Sequence, residues 1–468
     1  MGNIRDLFDM DTSQKYDVVV IGGGLTGLTL AYYLKKAGVR FLLLESNKRV
    51  GGVIQTIAEN GFVFETGPNS GIISSIEAVE LFDELKKDCN LEIANPNSND
   101  RWIWKKGKWH SLPTTIPAGI KTELFSLGDK LKLLTEPFLP KGKNPDETVA
   151  DLVLRRLGKS FLDYAVDPFI SGIYAGNPYK LVTRHALPKL YNLEHNYGSF
   201  IRGAIKKKFE PKNPDTQKVS REIFSMELGM QKLIDALENK IGNNILLNIN
   251  NLEITPKNQP YKINYDINGE PNEILADNVV TTTGAASLIN IFHNHPEIDI
   301  SAIANLKYTK VVQLIAGYKN WHGIELKAFG GLVPSIEKRD ILGLLFISSL
   351  FNDRAPQGGA LISAFMGGER RPDIIEMSDS EIIQIVKSEI AAMLGHSKSE
   401  PDLLKIYRYE RAIPQYEVSS QLRFEQIARI EKEFKGIILA GNIRNGIGMA
   451  DRIAQGRQIA DKLINEIK

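Results

Sequence analysis

Val18–Leu28 reads VVVIGGGLTGL: apolar β-formers run straight into three adjacent glycines, and a fourth glycine follows shortly after. Asp17–Ile21 has the continuous apolar character of a parallel strand buried on both faces. Leu25–Lys36 has helical spacing, and Gly38 closes it. The segment therefore predicts strand, tight turn, helix. Gly22, Gly24 and Gly27 fill the pattern G-x-G-x-x-G. Gly22 permits the turn, Gly24 lets a pyrophosphate approach the backbone, and Gly27 brings the helix onto the strand. Gly23, Leu25 and Thr26 complete the loop, whose free N–H groups sit at the positive end of the helix. A second strand, VRFLLLE, ends on Glu45, about 20 residues further on, where a carboxylate accepts hydrogen bonds from an adenosine ribose. The ligand class is a dinucleotide, NAD or FAD.

Composition bounds the rest. The chain has 468 residues, 43% of them hydrophobic and 24% charged, enough for two or three packed units. Lys plus Arg number 58 and Asp plus Glu 56, so no global field argues for nucleic acid. The single cysteine, Cys89, excludes an intrachain disulfide framework and a cysteine-based zinc cluster. It ends a helical pattern and reads as an inert thiol. No apolar run approaches the roughly 18 residues of a membrane span, and the N-terminus lacks a signal peptide's apolar core. The expected location is cytoplasmic.

Along the chain, Gly61–Ile72 (GFVFETGPNSGI) predicts a strand and a Gly-Pro turn, followed by a helix. The stretch DRWIWKKGKWHSLP predicts a hairpin bending at Gly107. Thr114 to about Asn213 is mostly helical and broken by prolines, and Ile205–Lys218 reads as an exposed basic loop. A helix beginning after Gly229 and strands ending in VVTTTGA follow. Tyr308–Ile362 carries short strands, Asp379–Leu394 is a helix, and the chain closes on a strand, IILAGN, and a helix starting near Ile447. The fold class is α/β, α+β overall, with a Rossmann-like dinucleotide domain assembled from three separated segments. The expected division is an extension over 1–15, dinucleotide-binding parts over 16–95, 216–295 and 430–468, a helical insert over 96–215, and a mixed-sheet unit over 296–429.

Near the closing helix, Gly446 and Gly448 let backbone approach a ring closely. The helix N-terminus would favour negative charge developing there.

The stretch ESNKRVGGVIQT places Arg49, Gly51 and Gly52 just after Glu45, and here the sequence resembles the FAD enzymes of the amine oxidase superfamily. DPFISGIYAGNP (Asp167–Pro178), Phe329–Pro356, YERAIPQY (Tyr409–Tyr416) and ETGPNS (Glu65–Ser70) resemble, more narrowly, the protoporphyrinogen and coproporphyrinogen oxidases. The resemblance runs from about Tyr16 to the C-terminus. It implies a flavin domain, a substrate domain and a helical domain that touches the membrane in several members. The cofactor implied is FAD, held by Gly22–Gly27, Glu45, Ser46, Arg49, Gly51, Gly52, Val53, the Gly67, Pro68, Asn69, Ser70 turn, Leu252, Gly441, Asn442, Ile447, Gly448 and Met449. Arg101 matches the position that pairs with a porphyrinogen propionate. Gly172 matches a backbone carbonyl facing the tetrapyrrole, and Leu332, Leu345 and Phe365 match apolar walls that clamp it.

The activity implied is removal of six hydrogens from a porphyrinogen in three two-electron rounds, with oxygen as acceptor, in haem biosynthesis. Protoporphyrinogen is favoured over coproporphyrinogen because Arg101 is the one matched cation and the latter substrate carries four propionates. The flavin carries the hydride chemistry, so no catalytic acid or base and no metal is assigned. His110, His185 and His195 read as structural or surface residues.

Two departures stand out. Glu417-Val418-Ser419-Ser420 replaces the Gly-His of many members, and Val53 is small where some relatives have an aromatic. The rival readings are an amine oxidase or carotenoid desaturase on the same fold, and a flavin-binding protein without turnover. Lys435–Lys468 holds no aromatic residue to sandwich an amine on the flavin face. Thr114–Gly142 mixes apolar residues with lysines and admits two readings, a helix lying on a bilayer or a lid on the substrate domain. The other partners the resemblance raises are a second copy of the chain and the next enzyme of the haem pathway.

Overall fold

The computed structural model describes residues 15–211, 217–257, 259–397 and 400–468. Its organising element is the strand Lys15–Ile21 in the middle of a seven-stranded sheet. On one side it pairs in parallel with Phe41–Leu44, which pairs in parallel with Ile245–Leu246. On the other side it pairs in parallel with the long strand Glu270–Thr281, in register from Lys15↔Leu275 to Ile21↔Thr281. The far end of that long strand takes Ile437–Leu439 as a further parallel neighbour. Its near end runs antiparallel to Tyr261–Ile267, which pairs with Ile249–Thr255. Three separated chain segments thus build one mixed sheet.

The apolar run in the first strand is explained by burial on both sides. Val18 and Val20 face a core shared with helices Leu25–Lys36, Ile76–Leu85, Gln231–Ile241 and Met449–Ile467. Val19 and Ile21 face a second core holding Leu288, Ile303, Ile427 and Ile430. The segments around Ile303 and Ile427, drawn with the mixed-sheet unit from sequence, therefore pack on the first sheet.

The second sheet also has seven strands, and antiparallel pairs dominate it. Tyr308–Tyr318 pairs with Leu403–Pro414 and Ala360–Gly367, then Ile341–Phe346 and Gly330–Leu332 follow. The hairpin Arg101–Lys105/Lys108–Ser111, drawn with the helical insert from sequence, joins this sheet through a parallel pairing with Gly330–Leu332. Its tryptophans explain the difference. Trp104 is buried in this sheet's core, with Trp102 and Trp109 packed against it. The same side of the sheet is covered by the helix Asp379–Leu394. The opposite side receives Phe62 and Phe64 of the first unit.

Between the hairpin and residue 211 the chain is helical. Glu136 is fully buried there and accepts hydrogen bonds from Ser199 Oγ and the Phe200 and Ile201 N–H groups, capping the helix Phe200–Phe209. That helix corrects the loop expected over Ile205–Lys218. Lys206, Lys207 and Lys208 form its last turn, where exposed carbonyls favour cations. Residues 212–216 of the expected loop lie outside the described residues.

The first and last helices cross with almost no side chain between them. A Cβ on Gly456 would stand 2.5 Å from the Thr26 carbonyl oxygen. Gly456→Val is expected to push the helices apart and lower stability by about 1–3 kcal/mol. Equilibrium denaturation of parent and variant measures this, and an unchanged midpoint would show that the crossing tolerates a side chain.

Candidate active site

The parallel strands all end at one edge of the first sheet, the place where an open α/β sheet leaves a crevice for a ligand. The glycine loop sits there. Gly27 is pressed on the preceding turn so closely that a Cβ would lie 2.0 Å from the Gly22 carbonyl oxygen. At Gly24 a Cβ would meet nothing within 4 Å, so the backbone faces open space, as a pyrophosphate requires.

Glu45 is buried at the end of the neighbouring strand. Its carboxylate accepts hydrogen bonds from the Gly23 N–H at 2.6 Å, and from the N–H and side-chain amide of Asn47 at 2.9 and 2.6 Å. Ser46 Oγ lies 3.3 Å from the same carboxylate. The Arg49 guanidinium donates to the carbonyls of Val50, Gly52 and Ile54. It shapes the loop carrying Gly51 and Gly52 through three of its five donors. Val53 follows, 64% exposed, with its carbonyl against Gly67. Leu252 lies within the bulge between Asn250 and Glu253, on the strand whose Ile249 N–H donates to the Glu45 carbonyl.

The other lip of the crevice is Gly441–Met449. The Gly441 N–H donates to Gln455 Oε1 at 2.8 Å, and Tyr308 Oη lies 3.4 Å from Asn442 Oδ1. Ile447 packs beside Tyr416, whose hydroxyl accepts the Gly446 N–H. Gly448 caps the last helix, and Met449 is buried against Phe224 and Gly71. Two features were not visible in the sequence. Asp451 accepts the Gly448 N–H at 3.0 Å and takes part of the helix's positive end. Arg452 binds the carbonyls of Gly441, Arg444 and Asn445 and so fixes the lip.

The substrate residues expected from sequence converge on one face of the second sheet. Leu332, Gly343, Phe365, Gln313 and Tyr407 are successive partners across five strands. Arg101, Gly330, Leu345, Ser363, Ile315 and Lys405 form the adjoining row. Partners in register project to the same side, so Arg101, Leu332, Leu345 and Phe365 share a face. Gly172, on the helix Asp167–Tyr174, packs on Leu332: a Cβ there would lie 2.6 Å from Leu332 Cδ2. That helix leaves Phe169 and Ile173 exposed.

The cofactor turn meets this face directly. Asn69 Oδ1 lies 3.5 Å from Ser363 Oγ, and the Gln313 side-chain amide donates to the Glu65 carbonyl at 3.2 Å. Gln313, Ser363 and Tyr409, which is bonded to Gln313, were missed from sequence. Gln313 carried a signal, as the one amide in the apolar strand VVQLIA.

Two groups of expected bystanders stand apart from this face. Burial pushes the Cys89 thiol up to about 11, keeping it protonated and unreactive. His110, His185 and His195 lie in the hairpin and helical region. His185 packs on Phe424, and its pKa is lowered to about 4 chiefly by burial. In the departing segment, Glu417 pairs with Lys307 at 2.9 Å and Ser420 is fully buried.

Comparison with known proteins gives the family and the fold. The family model described as "Flavin containing amine oxidoreductase" matches residues 25–464. Protoporphyrinogen oxidase 2, chloroplastic/mitochondrial, from Arabidopsis thaliana is 30% identical over 96% of this chain and 94% of its own length. Coproporphyrinogen III oxidase from Bacillus subtilis is 26% identical over 95% and 97%. A solved protein from Exiguobacterium sp. 255-15 superposes with a TM-score of 0.79 at 23% identity, covering 97% of this chain and 99% of its own. Reduced UDP-galactopyranose mutase gives 0.72 at 16% identity, over 96% of each chain. At those identities the two structures speak for the fold alone.

Glu65, in the cofactor turn's lead-in strand, is 4% exposed. Its carboxylate accepts the Met230 N–H at 2.9 Å and the Thr56 hydroxyl at 2.8 Å. Burial outweighs these bonds and raises its pKa to about 7. A carboxyl group raised in the folded state binds a proton that the unfolded chain releases, so stability falls as pH rises from about 4.5 to about 7. The cost above that window is on the order of 2–4 kcal/mol. Glu65→Gln should therefore be more stable than the parent at pH 8, with the difference closing towards pH 5. Thermal midpoints across that range test it, and parallel curves would refute it.

Proposed function

The chain belongs to the flavin-containing amine oxidoreductase family, and we propose that it oxidises a porphyrinogen of haem biosynthesis, protoporphyrinogen in preference to coproporphyrinogen. The observation that carries this reading is the apolar face of Leu332, Leu345 and Phe365, with Arg101 at its edge and the cofactor turn bonded to its centre through Ser363. Full-length similarity to both kinds of porphyrinogen oxidase supports it.

The residues present fit FAD. Gly24 leaves space for the diphosphate, Glu45 stands where the ribose hydroxyls would lie, and the Gly441–Met449 lip closes the crevice. Bound there, the flavin supplies two-electron hydride acceptance. The chain's own work is positional. Leu332, Leu345 and Phe365 offer a flat apolar wall that excludes water from a macrocycle. Gly172 lets the helix Asp167–Tyr174 close against that wall. Arg101 presents a fork suited to one carboxylate. No side chain on the face is required to exchange protons with the ring.

Charge on this face bears on the choice of substrate. The Arg101 side chain makes no hydrogen bond or ion pair among the described residues. Lys405, in the same row, is paired with Glu59 at 2.8 Å. One free cation suits two propionates better than four. Relative kcat/KM values for the two porphyrinogens, measured on one preparation, decide the preference. Faster turnover of coproporphyrinogen would reverse it, and bleaching by amines alone would overturn the reading.

The segment Thr114–Gly142 bears on a membrane partner. The helix Leu127–Thr135 buries no residue. Leu127, Leu131, Leu134 and Phe138 are each at least 64% exposed, as is Phe209 on the neighbouring helix. Arg202 stands over the Phe138 ring, and Lys130, Lys132 and Lys206–Lys208 flank the stripe. An apolar stripe rimmed by lysines favours a bilayer surface over a packed lid. No helix among the described residues is long and apolar enough to cross a membrane.

Three outcomes follow. Arg101→Ala should raise KM for the porphyrinogen about tenfold or more and leave kcat nearly unchanged, because the contact is equal in ground and transition states. Arg101→Lys should recover only part. Steady-state kinetics identical to the parent would remove Arg101 from the site. Glu45→Ala should fold but lose flavin during purification, read from visible absorbance per protein. Full retention of colour would place the ribose elsewhere. The parent should sediment with vesicles containing anionic lipid and be released by salt. Leu131→Glu combined with Leu134→Glu should abolish the association. Salt-resistant binding, or none by the parent, would refute a surface contact of this kind.

A further inference from the structure

A chain of buried polar side chains runs from the second sheet into the Gly67–Ser70 turn. Gln313 is 1% exposed, Ser363 0% and Asn69 8%. The first two sit in the apolar strand segments VVQLIA and LISAFM. Burying such groups is costly unless their hydrogen bonds are made, and each link is present. Gln313 Nε2 donates to the Glu65 carbonyl and to Ser363 Oγ, each at 3.2 Å. Gln313 Oε1 accepts the Tyr409 hydroxyl at 3.4 Å. Burial raises the pKa of Tyr409, so that hydroxyl keeps its proton. Ser363 Oγ donates in turn to Asn69 Oδ1 at 3.5 Å, and Asn69 Nδ2 donates to the Gly67 carbonyl at 3.4 Å.

The direction of this chain is fixed at both ends, because a backbone carbonyl only accepts. The Glu65 carbonyl holds Nε2 of Gln313, not Oε1, on its side. Ser363 Oγ receives a proton from Nε2 and has its own to give, so Asn69 presents its oxygen there. The Gly67 carbonyl selects the same orientation of Asn69 from the other side. Nδ2 of Asn69 is left with one N–H that has no acceptor among the described residues, in the turn that borders the dinucleotide crevice. A porphyrinogen ring cannot take that hydrogen bond, because every pyrrole nitrogen carries a proton of its own. A flavin ring has acceptor nitrogens and oxygens, and it gains negative charge on reduction.

We infer that Tyr409, Gln313 and Ser363 are positioning residues, which hold the Asn69 side chain as a hydrogen-bond donor to the bound flavin. A donor placed there favours the reduced ring, since the bond strengthens as charge builds. An inverted amide would turn its oxygen to the crevice, oppose that charge and suit a pyrrole N–H instead. The relay thereby assigns Asn69 to the cofactor and not to the substrate ring. The inference rests on flavin binding; only the contrast with a pyrrole rests on the porphyrinogen reading.

The test is the flavin reduction potential of the purified holoprotein, measured without substrate by anaerobic reduction beside a reference dye. Ser363→Ala cuts the link to Asn69 and leaves Gln313 on the Glu65 carbonyl. It should make the potential more negative. Asn69→Leu deletes the donor and should shift the potential the same way, at least as far. The double variant should shift no further than Asn69→Leu alone, because both changes remove one contact. Tyr409→Phe, at the far end of the relay, should give a smaller shift of the same sign. FAD titration of the apoproteins should show affinity weakened several-fold in Ser363→Ala and Asn69→Leu. Potentials equal to the parent's in Ser363→Ala and Tyr409→Phe, or shifts that add in the double variant, would overturn the inference. If the potentials move as expected while the parent oxidises no porphyrinogen, the reading of function fails and this inference stands.

Discussion

The parallel pairing of Lys15–Ile21 with Glu270–Thr281 is the constraint on which the rest depends. It joins segments separated by more than half the chain and delivers both to the same sheet edge. The residue just past that pairing, Thr282, fastens three segments. Its N–H donates to the Ile21 carbonyl, its hydroxyl to the Gly22 carbonyl at 2.8 Å, and its own carbonyl lies against Gly441. The glycine loop, the mid-chain turn and the closing lip therefore converge because three strands end together. A one-residue slip in that register would turn Val18 and Val20 into the wrong core and separate the two lips at once.

A second junction sets the cofactor crevice against the substrate face. Phe62 and Phe64 pack on the second sheet, while Glu65 and Asn69 bond to Gln313 and Ser363. The apolar contacts hold the two units together, and the polar ones fix their register, since a buried amide left unpaired is costly. The face of Leu332, Leu345 and Phe365 is thereby positioned by the same contacts that hold the Gly67–Ser70 turn.

The architecture does not choose the reaction. UDP-galactopyranose mutase, a mutase by name, shares it at a TM-score of 0.72. The local features of this chain are an apolar face of Leu332, Leu345 and Phe365, a guanidinium at its edge, and no aromatic residue in the last strand and helix. Activity belongs to the side chains placed on the framework.

The cofactor half of the site was legible in the sequence because it is made of consecutive residues. A glycine pattern, a strand and a carboxylate at fixed spacing specify a turn, a helix end and a buried acid beside them without knowledge of the remainder. The helices Leu25–Lys36 and Asp379–Leu394 were legible for the same reason, as their periodicity is local. The tryptophan hairpin was placed with the wrong unit, because its parallel partner Gly330–Leu332 lies more than two hundred residues away. Gln313, Ser363, Arg452 and Gln455 acquire their roles only from neighbours brought in by other strands and helices. Whether Arg49 is free or committed to its own loop is likewise a matter of where carbonyls point. Sequence determined the bare glycine turn and the carboxylate beside it; tertiary structure alone decided which polar atoms pair with which, because partners for buried donors are assigned in space.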